Sequence, residues 1–327
     1  MAAAALLIDH PTDTPLNTQF RRDVLTGLSQ QRKAVPARWF YDHRGSELFE
    51  EITRLPEYYP TRAEVSILSQ RCGEMAAAIG PGRVVVEFGA GSATKTPLLL
   101  DCIAPAAYVP IDISGDFLRE SCAPLAERYP SLPIHPVEAD FTRPASIPSS
   151  LMRHPRLGFF PGSTIGNMEP ATAVDLLRTM RDTLGEGSVL LIGMDRIKAV
   201  DVLTAAYDDA AGVTAEFNCN LAARINRELD GTIPLDALRH RAVWNDVRAR
   251  VEMHLEAERD IAFKVAGRSF AMREGETIHT ENSHKYDQRS AATLLLAGGW
   301  EPCETWMDAD ERFMVIAARA MDDLLTA

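Results

Sequence analysis

The chain has 327 residues, of which 46% are apolar and 24% are charged, and its 34 basic and 46 acidic side chains give a net charge of −12. This length suggests about two domains, and the composition is that of a globular protein with a sizeable core. The acidic balance excludes binders of nucleic acid or of anionic membrane surfaces, which carry basic patches. No apolar run approaches the roughly 18 residues of a membrane span.

The cysteines and the N-terminus both predict a cytoplasmic protein. Five cysteines are odd in number and form no C-x-x-C pair, which favours reduced thiols over a disulfide framework or a zinc site. The run MAAAALLIDHP lacks a basic segment and a clear cleavage site, so we interpret it as a flexible start and not as a signal peptide. His279 and His284 have no suitable ligands near them in sequence, and we expect no bound metal.

From about residue 61 to residue 195 the chain alternates strand-like apolar runs with amphipathic helices. Thr61 and Glu64 have the T-x-x-E spacing of a capping box, and Gly80 and Pro81 end the helix that they open. Strands are predicted at RVVVEF (83–88), AYVPID (107–112), LPIHPVEAD (132–140), LGFFPG (157–162) and SVLLIGMD (188–195). Because strands alternate with helices, we predict right-handed crossovers and an α/β fold with a mainly parallel sheet.

The pattern changes between about residues 196 and 286. Two helical stretches lead into runs that alternate with period two, and Val251, Met253 and Leu255 share one face of such a strand. This alternation is typical of antiparallel strands with one face in solvent. The first 60 residues show helices, loops and aromatic clusters but no strand pattern.

A helix and two closing strands follow from about residue 287, so we expect the parallel-sheet domain to resume there. One domain is therefore predicted from 62–195 and 287–327. The second, an α+β substrate-binding domain, is predicted from 8–61 and 196–286.

A glycine-containing loop follows the first predicted strand. Gly89 and Gly91 allow a tight turn and a close approach of the backbone to a ligand, although Thr94 replaces the third glycine of a dinucleotide fingerprint. A lone G-x-G is weak evidence and is compatible with a plain strand–helix turn.

Acidic residues strengthen this interpretation, because each of the first three predicted strands ends in one. They are Glu87, Asp112 and Asp140, and Phe141 follows the last of them. A carboxylate at such a strand end can accept both hydroxyls of a ribose. Together they outline an adenosine-shaped site, and an α/β domain for another nucleotide remains the alternative.

The E-x-G-x-G loop, the Asp-Phe pair and the two closing strands resemble the S-adenosylmethionine-dependent methyltransferase sheet. Longer motifs resemble one narrow family, the histidine-specific Nα-methyltransferases of ergothioneine biosynthesis, which form hercynine. They are RWFYDHRGSELFEEITRLPEYYPTRAE (38–64), FFPGSTIGNM (159–168), AAYDDAAGVTAEFNCNLAARINREL (205–229) and IHTENSHKY (278–286). The resemblance extends from about residue 20 onward and implies S-adenosylmethionine as cofactor, L-histidine as substrate and a monomer.

The resemblance also implies roles for particular side chains. Asn167 and Tyr207 match the residues that bind the α-amino and α-carboxylate end of histidine, and Met253 matches a side chain that lines the substrate pocket. Tyr41 and Tyr58 match residues near the amine and the methyl donor, although Tyr59 is close enough for the assignment to shift by one.

At the imidazole end, Glu281 and Ser283 match the family's recognition pair, and alternation along a strand places them on one face. Lys95 follows the glycine loop and matches a residue near the carboxylate of the donor. The family match thus assigns catalysis to Tyr41, Tyr58 and Asn167, and cofactor binding to Tyr41, Gly89, Lys95, Asp112, Asp140 and Phe141.

Two alternatives are open at this stage. The same fold could methylate another amino acid such as tryptophan, but an indole has one N–H and would leave a polar group of the Glu281–Ser283 pair unmatched. A non-catalytic amino-acid or nucleotide sensor is the second. No side chain is required as the proton acceptor, since water or a tyrosine serves equally well.

Overall fold

The computed structural model describes residues 15–322 apart from residues 92, 93 and 114. The expected flexible start at residues 1–11 therefore lies outside the described residues. The described residues divide into two compact units, one of which comprises residues 15–52, Tyr207–Val243 and Glu252–Glu281. The other, the parallel-sheet unit, comprises Thr53–Ala206, Trp244–Val251 and residues 282–322. Segments 53–61, 196–206, 244–251 and 282–286, which the sequence pattern assigned to the α+β domain, thus belong to the parallel-sheet unit.

The helices of the described residues are α1 (Pro15–Leu28), α2 (His43–Ile52), α3 (Tyr59–Gln70), α4 (Cys72–Ile79), α5 (Thr96–Ile103), α6 (Gly115–Arg128), α7 (Pro170–Leu184), α8 (Val200–Ala205), α9 (Val213–Glu228) and α10 (Gln288–Ala297). The strands are β1 (Lys33–Ala34), β2 (Val84–Phe88), β3 (Ala107–Asp112), β4 (Val137–Glu138), β5 (Arg156–Phe160), β6 (Val189–Asp195), β7 (Leu238–Asn245), β8 (Arg250–Ala257), β9 (Ile261–Val265), β10 (Arg268–Met272), β11 (Thr277–His284), β12 (Trp300–Met307) and β13 (Phe313–Ala320). None of the helices in the described part of the chain combines the length and the apolar character needed to cross a bilayer.

The parallel-sheet unit is built on seven strands in the order β12-β13-β6-β5-β2-β3-β4. Strands β2 to β6 run parallel, whereas β13 runs antiparallel to both β6 and β12. The strand order reverses between β2 and β5, and in open α/β sheets ligands bind outside the carboxyl ends at such a point. The predicted α/β fold with a closing antiparallel strand pair is confirmed.

Apolar layers cover both faces of this sheet. Every residue of β2 and β6 is buried, as expected of strands that are covered by helices on both sides. Helices α7 and α10 contribute to the core on one face, and helices α3, α4 and α5 contribute to the core on the other. This two-sided packing fixes the strands whose ends carry the candidate site.

The unit formed by residues 15–52, Tyr207–Val243 and Glu252–Glu281 is called the second unit below. It contains α1, α2 and α9 together with most of the sheet β1-β11-β8-β7 and the antiparallel pair of β9 and β10. In β8 the residues Val251, Met253 and Leu255 are buried while the residues between them are partly exposed, which agrees with the predicted alternation. Strand β1 was not expected. It pairs with β11 through two residues, which is too short a segment to show a strand pattern in sequence.

Two local predictions are wrong. Helix α3 begins at Tyr59, ahead of Thr61, and Glu64 does not cap it, because its carboxylate accepts the main-chain N–H of Gly162. Cys72 and Cys102 form a disulfide instead of remaining reduced, since α4 and α5 bring their Cα atoms within 5.5 Å. The remaining cysteines, Cys122, Cys219 and Cys303, are unpaired.

Candidate active site

The turn after β2 is shaped for a close approach to a ligand. Gly89 has φ +70°, and a Cβ built on it would lie only 3.2 Å from the ring of Phe141. A side chain at position 89 would therefore strain the backbone and collide with the aromatic ring. The turn and the loop after β4 thus meet at the carboxyl edge of the sheet.

Asp112 lies at the end of β3 beside this turn. Its Oδ2 accepts the main-chain N–H of Gly91 over 3.2 Å, which ties the carboxylate to the glycine loop. Asp140 accepts the main-chain N–H and the hydroxyl of Thr142, over 2.9 and 2.6 Å, and so shapes the loop that presents Phe141. The structure therefore brings together Gly89, Asp112 and Phe141, while Asp140 acts on the loop between them.

This arrangement fits the adenosine part of the methyl donor. A carboxylate at the end of the second parallel strand can accept ribose hydroxyls, and the Phe141 ring, which also contacts Phe160 at 6.0 Å between centroids, offers a flat apolar surface to a base. The close contact between Gly89 and Phe141 shows why only a residue without a side chain suits position 89.

Glu87 does not contribute to the adenosine site, although its position near the end of a strand had indicated that it would. Its carboxylate is buried and accepts hydrogen bonds from the hydroxyls of Thr96 and Tyr108, both at 2.6 Å. Burial raises the pKa of Glu87 to about 7, against the lowering effect of these two donors. We conclude that this carboxyl group joins β2 to β3 and α5 inside the unit.

Lys95 lies just before α5 and pairs with the buried carboxylate of Glu64. The same carboxylate accepts the main-chain N–H of Gly162 after β5, with distances of 3.0 and 2.9 Å to its two oxygens. The ammonium of Lys95 therefore lies between the loops that follow β2 and β5, which flank the reversal point of the sheet.

The loop that carries Asn167 is held against the C-terminal end of β11. Ser163 adopts a left-handed conformation with φ +56°, and its hydroxyl accepts the main-chain N–H of Asp195 over 2.9 Å. A Cβ on Gly166 would lie 2.8 Å from the carbonyl oxygen of His284. Asn167 follows Gly166 and Ser283 precedes His284, so each adjoins one partner of this backbone contact.

A buried cluster of charges lies at the end of β6. The carboxylate of Asp195 accepts the hydroxyl of Tyr59 and the ammonium groups of Lys198 and Lys285, at 2.8, 2.6 and 2.7 Å. Burial alone would raise the pKa of Asp195, but the charges of the two lysines outweigh it and hold that pKa below its ordinary value. Burial lowers the pKa of Lys198 to about 8, and Asp195 partly offsets this.

This cluster has two consequences for the candidate residues. The hydroxyl of Tyr59 is engaged with Asp195 and with Lys198, which donates to it over 2.6 Å. Tyr59 is therefore part of the cluster, which favours Tyr58 as the tyrosine of this pair that faces the amine. Lys285 also donates to the hydroxyl oxygen of Ser283 over 2.8 Å, so the cluster orients a residue that the family match assigns to substrate binding.

In the second unit, Tyr41, Tyr207 and Glu281 lie close enough to interact electrostatically. Loss of hydration raises the pKa of Tyr41 far above its ordinary value, and the charge of Glu281 and then Tyr207 add to the effect. Tyr41 nevertheless keeps 45% of its surface exposed, so a ligand can reach its ring.

A chain of hydrogen bonds fixes Tyr207 relative to the strand that carries Glu281. Nε2 of His240 donates to the carbonyl oxygen of Tyr207 over 2.8 Å, and Nδ1 accepts from the amide of Asn218 over 2.8 Å. This network assigns the neutral tautomer with the proton on Nε2. The oxygen of Asn218 in turn accepts the hydroxyl of Thr280 over 2.7 Å, directly before Glu281.

Met253 packs in the core of its unit. Its side chain is buried, and its carbonyl oxygen accepts the hydroxyl of Thr280 over 3.0 Å. Its position on the buried face of β8 makes it a support for the strand that carries Thr280 and Glu281.

A match to one family model covers nearly the whole chain. The model, described as histidine-specific methyltransferase, SAM-dependent, matches residues 20–320. The chain belongs to this family. The resemblance inferred from the sequence motifs is thereby confirmed, together with S-adenosylmethionine as the cofactor.

Relatives that the chain covers over most of their length include two histidine methyltransferases and one methyltransferase of a tryptophan derivative. The chain is 42% identical over 294 residues to the histidine N-alpha-methyltransferase of Mycolicibacterium smegmatis, with 88% of this chain and 91% of the relative covered. It is 39% identical over 295 residues to the protein of the same name from Mycobacterium tuberculosis, with the same coverage. It is 26% identical over 310 residues to a 4-dimethylallyltryptophan N-methyltransferase of Claviceps fusiformis, with 86% and 87% covered.

Sequence reasoning missed several residues that support the assigned side chains. These are Asp195, Lys198, Lys285, His240 and Asn218. A charged residue at the end of the fully buried strand β6 was a usable signal for Asp195, because an ionised group there needs partners. His240 and Asn218 showed no such signal, since their roles depend on contacts between distant segments.

Proposed function

We propose that this member of the histidine-specific methyltransferase family transfers three methyl groups from S-adenosylmethionine to the α-amino group of L-histidine, which gives hercynine, the first step of ergothioneine biosynthesis. The observation that carries the proposal is that the histidine-specific family model matches residues 20–320, which include Glu281 beside Tyr41 and Tyr207. A carboxylate in such surroundings suits a substrate that offers a ring N–H, as imidazole does.

The donor is assigned to the carboxyl edge of the parallel sheet. Asp112 accepts the ribose hydroxyls, Phe141 covers the adenine, and the turn at Gly89 leaves room for the nucleoside. Lys95 is positioned by Glu64 to meet the carboxylate of the methionine portion. When bound, the cofactor supplies a methyl group on a positively charged sulfur.

The amine must be neutral when it attacks, because a protonated amine has no lone pair. Partial removal from water and a nearby positive charge both lower the pKa of an amine. We assign Asn167 to the α-carboxylate and amine, since its side chain offers both a donor and an acceptor, and Tyr207 to the same end of histidine. Tyr58 and Tyr41 direct the lone pair towards the methyl group, so that catalysis is mainly orientation.

Recognition of the imidazole is assigned to Glu281 and Ser283. Glu281 accepts the ring N–H, and Ser283, held by Lys285, pairs with the second ring nitrogen. An indole offers one N–H and no second nitrogen, so tryptophan could pair with only one of these two groups, and a hydrogen bond that is not formed costs about 0.5–1.5 kcal/mol. This difference supports histidine over tryptophan as the substrate.

A direct experiment tests the reaction. The purified protein is incubated with methyl-labelled S-adenosylmethionine and each of the twenty amino acids, and the products are read by mass spectrometry. We expect histidine to gain one, two and finally three labelled methyl groups on its α-nitrogen. Absence of a histidine product, or a preference for tryptophan, would refute the proposal.

We further infer a cytoplasmic monomer that acts on free histidine without nucleic acid or membrane. The net charge of −12 supports the part of this inference that concerns nucleic acid and membrane, because it disfavours binding to anionic polymers and surfaces. Size-exclusion chromatography with light scattering tests the oligomeric state, and a mass of twice the chain would contradict the inference.

A further inference from the structure

Three side chains outside the assigned site form a compact group of metal-binding type. Glu252 and His254 project from β8, His279 projects from the neighbouring strand β11, and one donor atom from each lies within 4.8 Å of the other two. The side chains of Glu252 and His254 are only 14% and 15% exposed, so solvent reaches the group without surrounding it.

The distance between the side chains of Glu252 and His254 fits two ligands of one metal ion better than a hydrogen bond. Oε2 of Glu252 and Nε2 of His254 are 3.3 Å apart, which is long for a charge-assisted hydrogen bond of about 2.7–2.9 Å. Nitrogen and oxygen ligands that lie about 2.0–2.1 Å from a tetrahedral zinc ion are roughly 3.3 Å from one another. The pair is thus already spaced as two ligands of one ion.

His279 is oriented as metal-binding histidines are. Its Nε2 lies 3.0 Å from the carbonyl oxygen of Glu281, and because a carbonyl only accepts, Nε2 carries the proton in this network. The lone pair of the neutral ring is then on Nδ1. A ligand histidine usually donates its other N–H to a carboxylate or a carbonyl in this way, which fixes the tautomer and the ring orientation.

The hydrogen bonds of His254 do not account for the presence of an imidazole there. Its Nδ1 is buried without a hydrogen-bond partner among the described residues, and the long contact to Glu252 serves its other nitrogen. The rings of His254 and His279 lie side by side, with centroids 4.9 Å apart and 35° between their planes. Two adjacent imidazoles and one carboxylate are more readily explained as ligands than as packing.

We infer that Glu252, His254 and His279 bind one divalent transition-metal ion of the zinc class, with a fourth position open to water. Two imidazoles and one carboxylate suit zinc, cobalt, nickel or copper and disfavour calcium and magnesium, which prefer oxygen ligands. Methyl transfer from a sulfonium needs no metal, so the ion is not a cofactor of the proposed reaction. It joins strands β8 and β11 next to Glu281 instead.

The test is a zinc titration of the metal-depleted, tag-free full chain by calorimetry. We expect one site per chain, and Co²⁺ in its place should give the intense visible absorption of a tetrahedral complex. His254→Ala and His279→Ala should each weaken zinc binding at least about 100-fold, since loss of an outer partner alone costs roughly 10–100-fold. His43→Ala is the matched control, because His43 is 90% exposed and lies outside the group.

Two further measurements separate loss of a ligand from loss of the fold. Glu252→Gln keeps the size of the side chain and should weaken zinc binding while circular dichroism stays unchanged. Zinc should also raise the Tm of the wild type and of His43→Ala but not of His279→Ala, because an ion stabilises only the state that binds it. Equal zinc affinity in all variants, or no uptake by the wild type, would overturn the inference whatever the outcome of the methylation assay.

Discussion

The imidazole of His240 holds the main chain of Tyr207 through a hydrogen bond of 2.8 Å from Nε2 to the carbonyl oxygen. The second ring nitrogen is bonded to Asn218, which continues to Thr280 beside Glu281. Two residues that are assigned to histidine binding are thereby connected through a buried side chain that is not expected to touch the substrate. Their relative position depends on the neutral tautomer of His240.

His240→Ala should raise the KM for histidine while kcat changes less, because the carbonyl of Tyr207 loses the N–H of His240 and the amide of Asn218 loses one of its two acceptors. Each buried polar group left unmatched costs about 1–3 kcal/mol, so the free energy of unfolding should also fall. His240→Gln offers an amide in place of the N–H and should restore part of the KM. Steady-state kinetics of the three proteins measure the effect, and equal KM values would show that His240 does not position Tyr207.

The contribution of His240 to stability should decrease as the pH falls below neutrality, whereas Glu87, whose pKa burial raises to about 7, acts in the opposite direction. Burial lowers the pKa of His240 below its ordinary value of 6.5, so between the two values the unfolded chain binds a proton that the folded chain does not. The contribution is complete above about pH 6.5 and is lost as the pH falls towards the folded pKa, by up to about 1.4 kcal/mol per pH unit. Urea unfolding at several pH values over about 2 pH units, from roughly 7.5 to 5.5, measures how the free energy of unfolding changes with pH.

The matched comparison for this slope is His240→Gln, which does not titrate there. Its stability should depend less steeply on pH than that of the wild type. His254 and His284, whose pKa values burial also lowers, keep part of the slope in both proteins. Identical slopes would contradict a neutral, buried His240.

Glu281→Gln should weaken histidine binding and leave donor binding intact. The substitution keeps the shape of the side chain but removes the charge that accepts the ring N–H. A hydrogen bond to a charged group contributes about 1.5–3 kcal/mol, so we expect the KM for histidine to rise roughly 10- to 150-fold. Calorimetric titration with S-adenosylhomocysteine measures donor binding.

The control for that variant is Glu276→Gln, a half-exposed carboxylate just before β11 that pairs with Lys33. It should leave the KM for histidine unchanged, because its contact lies at the surface. If Glu281→Gln behaves like this control, Glu281 does not bind the imidazole.

Asp195→Asn should destabilise the parallel-sheet unit strongly. Asp195 and Lys285 are fully buried, and the substitution removes the carboxylate that pairs with the ammonium groups of Lys285 and Lys198. Removing one partner of a buried pair costs about 3–5 kcal/mol. Urea unfolding measures the loss, and Asp175→Asn on the exposed side of α7 should remain close to the wild type.

The disulfide between Cys72 and Cys102 should stabilise the oxidised protein. It closes a segment with a sequence separation of 30, which in the chain-entropy model contributes about 3.6 kcal/mol. A reductant should therefore lower the Tm of the wild type but not that of the Cys72→Ser/Cys102→Ser variant. Cys303→Ser, at an exposed unpaired cysteine, is the control. A wild-type Tm that is independent of reductant would show that the bond contributes nothing.

The donor half of the site was predictable because it depends on local sequence. Gly89 and Asp112 follow apolar strands, and the carboxyl ends of parallel strands meet at one edge of a sheet. Their proximity therefore follows from strand order alone, and Phe141 joins them as the neighbour of the next strand end.

Other features depend on contacts between distant segments and were not predictable from patterns. Glu64 has the spacing of a capping residue, yet it pairs with Lys95 and with the N–H of Gly162, 98 positions away. Glu87 has the position of a ligand carboxylate, yet Tyr108 and Thr96 enclose it. For both Glu64 and Glu87, partners that are distant in sequence determine the role of the carboxylate, and this role differs from the one that the neighbouring sequence indicated.

Strand β13 lies between β6 and β12, although it is the last strand of the described chain. During synthesis the ribosome therefore produces both neighbours before the strand that joins them, and β6 keeps an unpaired edge until residues 313–320 emerge from the exit tunnel. The nascent parallel sheet cannot close earlier, and a chaperone that shields this edge should increase the yield of folded enzyme.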